Sequence, residues 1–201
     1  MYMSRKAYFN QVAETWDQKY CTTDLEAFLE EIIPMFGLKK GQIVLDLGTG
    51  TGVMIPFLVR AVGPSGSVTA IDYAEKMIQK CKAKYSHIQN VTIELQDVEE
   101  LGLPSEFFDV VTCFGLFPHL ENKGKALHHM NRVLKHGGRL IIAHALSSAE
   151  IKSQHRDASL AVNHDVLPEE EEMRLMLKRA DFNEIYIRDE PGCYLCSSTK
   201  P

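Results

Sequence analysis

A glycine-rich turn near residue 48 carries the first groups that could do chemistry. The stretch DLGTGTG spans residues 46 to 52 and follows the apolar run IVL, so a strand leads into a turn and then a helix. This order of elements aims backbone N–H groups at a ligand. Asp46 stands two residues before the first glycine, and a carboxylate there attracts a cation by roughly 4 kcal/mol across ~4 Å at an effective dielectric near 20. The turn therefore predicts a site for a positively charged ligand rather than for a phosphate.

Two more carboxylates follow the next two apolar runs. Asp72 ends the run SVTAID, twenty residues after Gly52, and Asp97 comes just after the run VTIEL. In nucleotide-binding α/β folds an acidic residue at this distance accepts hydrogen bonds from ribose hydroxyls. Asp97 is placed to accept one from an adenine amino group. Together with Asp46, these carboxylates predict a ligand that combines a nucleoside with a cationic group.

Three histidines occupy positions that the chain order places near the same edge. His119 follows the run FDVVTCF, His144 lies near the end of the run GRLIIAHA, and His155 comes eleven residues later, about three helical turns on. A single histidine there would be a general base, because its unperturbed pKa is near neutral. Two or three converging imidazoles would instead ligate a transition metal that binds or ionises a substrate. The third interpretation makes them polar walls of a pocket, and the residues alone leave all three open.

The elements that must position these residues alternate along the chain. Five short β-branched runs are separated by stretches with apolar residues at helical spacing, which is the pattern of a parallel sheet covered on both faces. We therefore predict an α/β fold with strands at 43–47, 67–72, 91–95, 108–114 and 138–145. Near the end, NEIYIRD and GCYLCSST are joined by Glu190-Pro191-Gly192, which predicts an antiparallel hairpin at the sheet edge.

Helices are predicted between the strands. They span 74–85, 123–135, 147–160 and 169–182. The second is expected to end in a C-cap at His136-Gly137-Gly138. Cys193 and Cys196 form a C-x-x-C pair, but both belong to a predicted strand, where positions three apart face opposite sides. We expect strand residues there rather than a redox pair, because redox pairs sit at helix starts.

Composition excludes several classes of protein. The chain has 201 residues, 45% of them hydrophobic, which suffices for one domain. Its formal net charge of −5 and its scattered Lys and Arg residues lack the basic patch of a nucleic-acid binder. No run reaches the roughly 18 apolar residues of a membrane span, and the first residues do not resemble a signal peptide. The five cysteines are odd in number and mostly far apart, which does not fit a disulfide framework. We expect a cytoplasmic monomer or homodimer with reduced thiols and with no nucleic-acid or membrane partner.

Five motifs in order resemble those of the class I S-adenosylmethionine-dependent methyltransferases. The motifs are VLDLGTGTG (44–52), AIDYAEKM (70–77), ELQDVEEL (94–101), FDVVTCF (108–114) and RVLKHGGRLII (132–142). The resemblance covers nearly the whole chain. It implies a Rossmann-like, doubly wound, mostly parallel sheet of seven strands whose C-terminal hairpin strand is antiparallel.

The resemblance also implies which residues bind S-adenosylmethionine. Asp46 and the glycine turn would hold the methionine part, Asp72 the ribose and Asp97 the adenine. The expected cofactor-binding residues are Asp46, Gly48, Thr49, Gly50, Gly52, Asp72, Tyr73, Met77, Asp97, Val98 and Phe114. The N-terminal segment KAYFNQVAETWDQKY (6–20) resembles the lid of small-molecule methyltransferases in the quinone-methylase-like branch. Residues 1–40 would accordingly form a helical lid, and residues 41–201 the S-adenosylmethionine-binding methyltransferase domain.

The function that these features predict is methylation of a small molecule with release of S-adenosylhomocysteine. His119 and His144 are the expected catalytic residues. The expected acceptor pocket consists of Tyr8, Phe9, Trp16, His119, His144 and His155, and the three histidines are also the candidate metal ligands. The alternatives are metal- or corrinoid-linked methyl transfer to a histidine-held acceptor and a non-catalytic, S-adenosylmethionine-binding regulatory protein. An NAD-dependent reductase is disfavoured, because Val53 stands where the dinucleotide fingerprint requires glycine or alanine.

Overall fold

The computed structural model describes residues 3–156 and 159–201, and seven strands form one sheet through it. The strands are β1 (Ile43–Leu47), β2 (Ser67–Asp72), β3 (Val91–Leu95), β4 (Phe108–Phe114), β5 (Leu134–His144), β6 (Asn183–Glu190) and β7 (Cys193–Thr199). Their order is β3-β2-β1-β4-β5-β7-β6, with β1 to β5 parallel and β7 antiparallel to both of its neighbours. The predicted α/β, Rossmann-like fold class and the hairpin at the sheet edge are confirmed.

Helices flank the sheet and precede it. They are α1 (Arg5–Val12), α2 (Trp16–Tyr20), α3 (Thr23–Ile32), α4 (Ile55–Val62), α5 (Glu75–Tyr85), α6 (Lys123–Val133), α7 (Ser148–Arg156) and α8 (Glu170–Arg179), with short 3₁₀ turns at Ile33–Phe36, Val98–Glu100 and Phe117–His119. The helix expected over 147–160 includes Asp157 and Ala158, which lie outside the described residues. Within the described part of the chain, no helix has the length and apolar character needed to cross a membrane.

Alternate residues of β1 and β7 face two apolar cores, one on each side of the sheet. On β1, Leu45 and Leu47 belong to the core that includes residues of α6 and α8, whereas Val44 belongs to the core that includes residues of α3 and α4. On β7, Cys196 belongs to the first core and Cys193 to the second. Successive side chains of a strand point to opposite faces, so the two thiols are kept apart and both are free. The prediction that they are strand residues is confirmed.

The helix before β5 ends earlier than the sequence predicts. α6 ends at Val133, and Leu134 is already extended. His136-Gly137-Gly138 is therefore part of β5, and its backbone exchanges two hydrogen bonds of 2.9 Å with Lys200. The predicted C-cap at these residues was wrong, because the C-terminal segment supplies backbone hydrogen-bond partners that hold them in a strand.

The strand order reverses beside β1 and opens a crevice at the carboxyl edge of the sheet. β2 and β3 lie on one side of β1, and β4 to β7 lie on the other. In open α/β sheets, ligands bind at such a reversal, outside the carboxyl ends of the strands. Asp72 is the last residue of β2 and His144 is the last residue of β5, so both reach this edge.

Candidate functional site

A cavity of about 630 Å³ opens at the carboxyl edge of the sheet. One half is walled by the turn after β1 and by the ends of β2 and β4. The other half is walled by the 3₁₀ turn after β4, the end of β5 and α7, with the N-terminal helices over both. The residues expected from the sequence that line it are Tyr8, Phe9, Trp16, Asp46, Gly48, Thr49, Gly50, Asp72, Tyr73, Met77, Phe114, His119, His144 and His155. The structure therefore brings Asp46, Asp72 and the three histidines to one cavity.

The glycine turn lets the backbone approach the cavity closely. Gly48 has φ +66°, and a Cβ at this position would lie 2.8 Å from Leu116 Cβ. A side chain there would both strain the backbone and collide with Leu116. Gly50 has φ +56°, and a Cβ there would meet only Trp16 Nε1, at 4.0 Å. The bare backbone of Gly50 therefore leaves room for a ligand.

Two buried carboxylates face this turn. Asp72 accepts the N–H groups of Gly50 at 3.0 Å and of Ala74 at 2.8 Å. Asp46 Oδ1 accepts the Thr112 hydroxyl at 2.9 Å. Asp46 Oδ2 is buried and makes no well-formed hydrogen bond among the described residues, although the Thr49 hydroxyl is near enough to lower the pKa of Asp46. Burial raises the pKa of each carboxyl to about 6. A buried oxygen left unpaired is costly, so this half of the cavity fits a ligand that brings hydrogen-bond donors and positive charge.

His119 is held from behind by Asp165. Its Nδ1 lies 2.7 Å from Asp165 Oδ2, and the Asp165 side chain is 1% exposed. An ionised carboxylate only accepts hydrogen bonds, so Nδ1 carries the proton and Nε2 of the neutral ring keeps its lone pair. Burial lowers the pKa of His119, and the hydrogen bond to Asp165 opposes that shift. The arrangement suits a group that removes a proton from a substrate.

The other two histidines differ in what holds them. His155 Nδ1 lies 2.6 Å from the carbonyl oxygen of Asp165, and its ring centroid is 4.8 Å from that of His119. His144 is buried at the end of β5, and its Nε2 has no hydrogen-bond partner within the described residues. Burial lowers the pKa of His144 to about 3. His144 is therefore neutral near pH 7.

The three histidines are not grouped as a set of metal ligands in the described part of the chain. Across residues 3–156 and 159–201, no group of three or more His, Cys, Asp or Glu side chains is arranged to hold a metal ion. His119 and His155 both direct Nδ1 to Asp165, a contact that metal-ligating histidines also make through their second ring nitrogen. The ligand set of His119, His144 and His155 therefore stays a prediction.

The N-terminal helices are tied to both halves of the cavity. Asp17 of α2 accepts the Thr51 hydroxyl next to the glycine turn and accepts from Lys84 Nζ at 3.0 Å. Phe9 of α1 packs edge-on against the His119 ring, with the centroids 5.1 Å apart. The aromatic residues expected in the lid therefore form a wall of the cavity. The division of the chain at residue 40 stays a prediction.

Three expected cofactor residues do not line the cavity. Val98 is buried in the core, and Asp97 is exposed and accepts the Glu99 N–H at 2.8 Å. Gly52 has φ +92°, and a Cβ there would lie 2.7 Å from Tyr85, which gives this glycine a packing role. Their assignment to the cofactor stays a prediction.

Two residues of the site escaped the sequence analysis. Asp165 lies in the loop after α7, 46 residues from His119, and Arg5, which binds its carboxylate, lies 160 residues away on α1. Neither belongs to a motif or to a periodic pattern. No spacing in the sequence could have linked them, because their proximity depends on how the N-terminal helix packs over the sheet.

Comparison with known proteins identifies similar chains. Residues 38–184 match a family described as a methyltransferase domain. A ubiquinone/menaquinone biosynthesis C-methyltransferase UbiE from Psychromonas ingrahamii is 41% identical over 110 residues, which are 53% of this chain and 43% of that protein. A demethylmenaquinone methyltransferase from Staphylococcus aureus is 39% identical over 113 residues, which are 56% of this chain and 46% of that protein. This chain thus matches less than half the length of these curated relatives.

A solved structure matches over a greater length. It is a SAM-dependent methyltransferase from Aquifex aeolicus, which superposes with a TM-score of 0.72 at 25% sequence identity. The match covers 99% of this chain and 100% of the other. The N-terminal helices and the C-terminal hairpin are therefore included in the similarity.

Proposed function

The chain belongs to the methyltransferase domain family, and we propose that it transfers a methyl group from S-adenosylmethionine to a small aromatic acceptor, releasing S-adenosylhomocysteine. The family match confirms the resemblance to the class I enzymes that the motifs indicated. The observation that carries the proposed activity is that one cavity joins the carboxylate-lined glycine turn to a wall of histidines. Methyl transfer requires the donor site and the acceptor site to share one cavity.

The carboxylate half of the cavity fits S-adenosylmethionine. When bound, this cofactor supplies a methyl group carried on a positively charged sulfonium. The buried, unpaired Asp46 Oδ2 would hold the cationic methionine part together with the open backbone of Gly50. Asp72, already fixed by two backbone N–H groups, would accept from the ribose hydroxyls. Both carboxylates line the cavity, and the cofactor would supply the hydrogen-bond partner that Asp46 Oδ2 lacks.

The aromatic walls support a ring-bearing acceptor. The names of the relatives refer to ubiquinone, menaquinone and demethylmenaquinone, and we assign this chain an acceptor of the same quinone-type class. Aromatic side chains from the N-terminal helices and from β4 line the cavity, namely Tyr8, Phe9, Trp16, Tyr20, Phe28 and Phe114. They offer flat apolar surface to a ring and exclude water from the site.

The protein has three tasks in this reaction: to position the acceptor, to exclude water and to remove one proton. We assign the proton to Nε2 of His119, which lines the cavity and whose Nδ1 is held by Asp165. His144 would serve as a neutral polar wall, because its burial opposes protonation. From composition we also propose a cytoplasmic monomer or homodimer that takes no nucleic-acid or membrane partner.

The test is methyl transfer by the purified protein. The protein is incubated with methyl-labelled S-adenosylmethionine and demethylmenaquinone-type naphthoquinones, supplied both oxidised and reduced, with phenols and thiols as comparison acceptors. We expect labelled product and an equal amount of S-adenosylhomocysteine with a quinone-type acceptor. Transfer only to thiols would overturn the acceptor class. Tight binding of S-adenosylmethionine without S-adenosylhomocysteine from any acceptor would instead identify a non-catalytic binding protein.

Cofactor binding is expected to release protons near pH 6. The pKa of Asp46 and of Asp72 is raised to about 6, so part of the protein carries these protons at that pH. A positive ligand favours the charged carboxylates, so affinity rises as the pH rises through about 6, and proton release disappears toward pH 8. Calorimetry in buffers of different ionisation enthalpy measures the release. The Asp46→Asn variant should release fewer protons, and equal release at pH 6 and pH 8 would contradict the assignment.

A further inference from the structure

One residue holds two of the cavity histidines. Asp165 Oδ2 lies 2.7 Å from His119 Nδ1, and the Asp165 carbonyl oxygen lies 2.6 Å from His155 Nδ1. Both oxygens accept, so each neutral ring carries its proton on Nδ1 and keeps a lone pair on Nε2. The two rings line the same cavity with centroids 4.8 Å apart and an interplanar angle of 39°. Two hydrogen-bond acceptors therefore stand side by side.

Arg5 fixes the carboxylate that holds His119. Its Nε lies 3.0 Å from both carboxylate oxygens of Asp165, and its Nη2 lies 2.5 Å from Oδ1. This planar fork sets the plane of a carboxylate in a way that a lysine ammonium cannot. The third nitrogen, Nη1, contacts Glu121 at 3.0 Å. The first helix of the chain thus determines how Asp165 faces His119.

We propose that Asp165 is a positioning residue that presents Nε2 of His119 and Nε2 of His155 together to the methyl acceptor, and that Arg5 orients its carboxylate for this purpose. Two adjacent lone pairs recognise a ligand that donates hydrogen bonds. The acceptor class is therefore narrowed to compounds with O–H, S–H or N–H groups near the accepting atom. This inference rests on the proposed function, because it assigns both histidines to the acceptor half of the cavity.

The charges around His119 come from several elements. The titratable and charged groups that face it or its partners are Arg5, Tyr73, Glu121, Lys123, His144, His155 and Asp165. Burial lowers the pKa of His119, Asp165 raises it, and Arg5 lowers it. Removal of the Asp165 charge and removal of the Arg5 charge should therefore move the His119 titration in opposite directions.

The first experiment reads the tautomers directly by ¹⁵N NMR of the imidazoles, without cofactor or acceptor. In the unsubstituted protein we expect Nδ1–H at both His119 and His155. Asp165→Asn should preserve both, because an amide oxygen still accepts from Nδ1. Asp165→Ala should release His119 into a mixture of tautomers while His155, held by the backbone carbonyl, stays unchanged as an internal control. An unchanged His119 tautomer in Asp165→Ala would overturn the proposal.

The second experiment remains decisive if Asp165→Ala does not fold. The midpoint of the His119 titration should fall in Asp165→Asn and rise in Arg5→Gln, with Arg5→Lys between the unsubstituted protein and Arg5→Gln. Glu121→Gln is the matched control, since Glu121 contacts Arg5 but not His119, and its shift should be smaller. If the midpoint of the His119 titration moves in the same direction in Asp165→Asn and in Arg5→Gln, the proposal is overturned and Asp165 has only a structural role.

Kinetics then link the positioning to the reaction. Asp165→Ala should lower kcat by about 10²-fold through misplacement of the base, with little change in KM for S-adenosylmethionine. An unchanged kcat would overturn the positioning role. If the tautomers behave as expected and no form of the protein transfers a methyl group, the proposed function fails while the arrangement of the histidines stands.

Discussion

His119→Ala is expected to lower kcat for methyl transfer by about 10²- to 10⁴-fold, the range typical of a lost general base. The affinity for S-adenosylmethionine should stay unchanged, because His119 lies in the histidine half of the cavity, away from the carboxylate turn. The physical reason is the orientation of the ring, whose Nδ1 is bound to Asp165 and whose Nε2 is left to take a proton. Initial rates with saturating cofactor, together with calorimetric binding, measure the two quantities separately.

The pH profile gives an independent check on His119. The base must be neutral to act, so the rate should fall as the pH falls through the His119 pKa, which burial places below its ordinary value of 6.5. This acid limb should vanish from the residual activity of His119→Ala. His136→Ala is the matched control, because the His136 side chain is 72% exposed and lies outside the cavity. Full activity in His119→Ala would show that another residue is the general base.

Asp72→Ala is expected to weaken binding of S-adenosylmethionine by roughly 100-fold or more. Each hydrogen bond to a charged group contributes about 1.5–3 kcal/mol, and the carboxylate is assigned to both ribose hydroxyls. Tenfold in affinity corresponds to about 1.4 kcal/mol. The substitution also removes the acceptor for Gly50 and Ala74 and so loosens the glycine turn. Equilibrium dialysis or calorimetry at pH 8, where Asp72 is ionised, measures the loss.

The variant Asp109→Ala distinguishes a loss of cofactor binding from a loss of protein stability. Asp109 also accepts a backbone N–H, from Ile43 at 2.7 Å, but it lies near the start of β4, at the opposite edge of the sheet. Asp109→Ala should lower the melting temperature without weakening cofactor binding at a temperature where the protein is folded. If Asp72→Ala binds the cofactor as tightly as Asp109→Ala, Asp72 does not contact the ribose.

The strands were predictable because their signals are local. The bounds expected for the first four strands are those of the structure, since short β-branched runs bounded by turn residues specify extended segments by themselves. The start of β5 was not predictable. Lys135 and the glycines after it have no local preference strong enough to decide their state, and pairing with the C-terminal segment makes them a strand.

For the histidines, too, the position could be predicted from the sequence, but the orientation of the rings could not. Their placement at the carboxyl edge follows from strand order, which the sequence pattern specifies. Whether they bind a metal, a proton or each other depends on the direction of single nitrogen atoms. That direction is set by Asp165, through its side chain for His119 and through its carbonyl for His155, and by Arg5 behind it.

The sequence by itself determined the α/β class, the sheet edge and two carboxylates, Asp46 and Asp72, that line the cavity there. Each of these lies within one strand, turn or helix start, where geometry is fixed by neighbours a few residues away. Only the tertiary structure decided which histidine has its Nδ1 held by a carboxylate, because Asp165 reaches His119 from a loop 46 residues away in the chain. It also decided that Arg5 and Asp165 belong to the site, since 160 residues separate them in the chain and only the packed fold joins them.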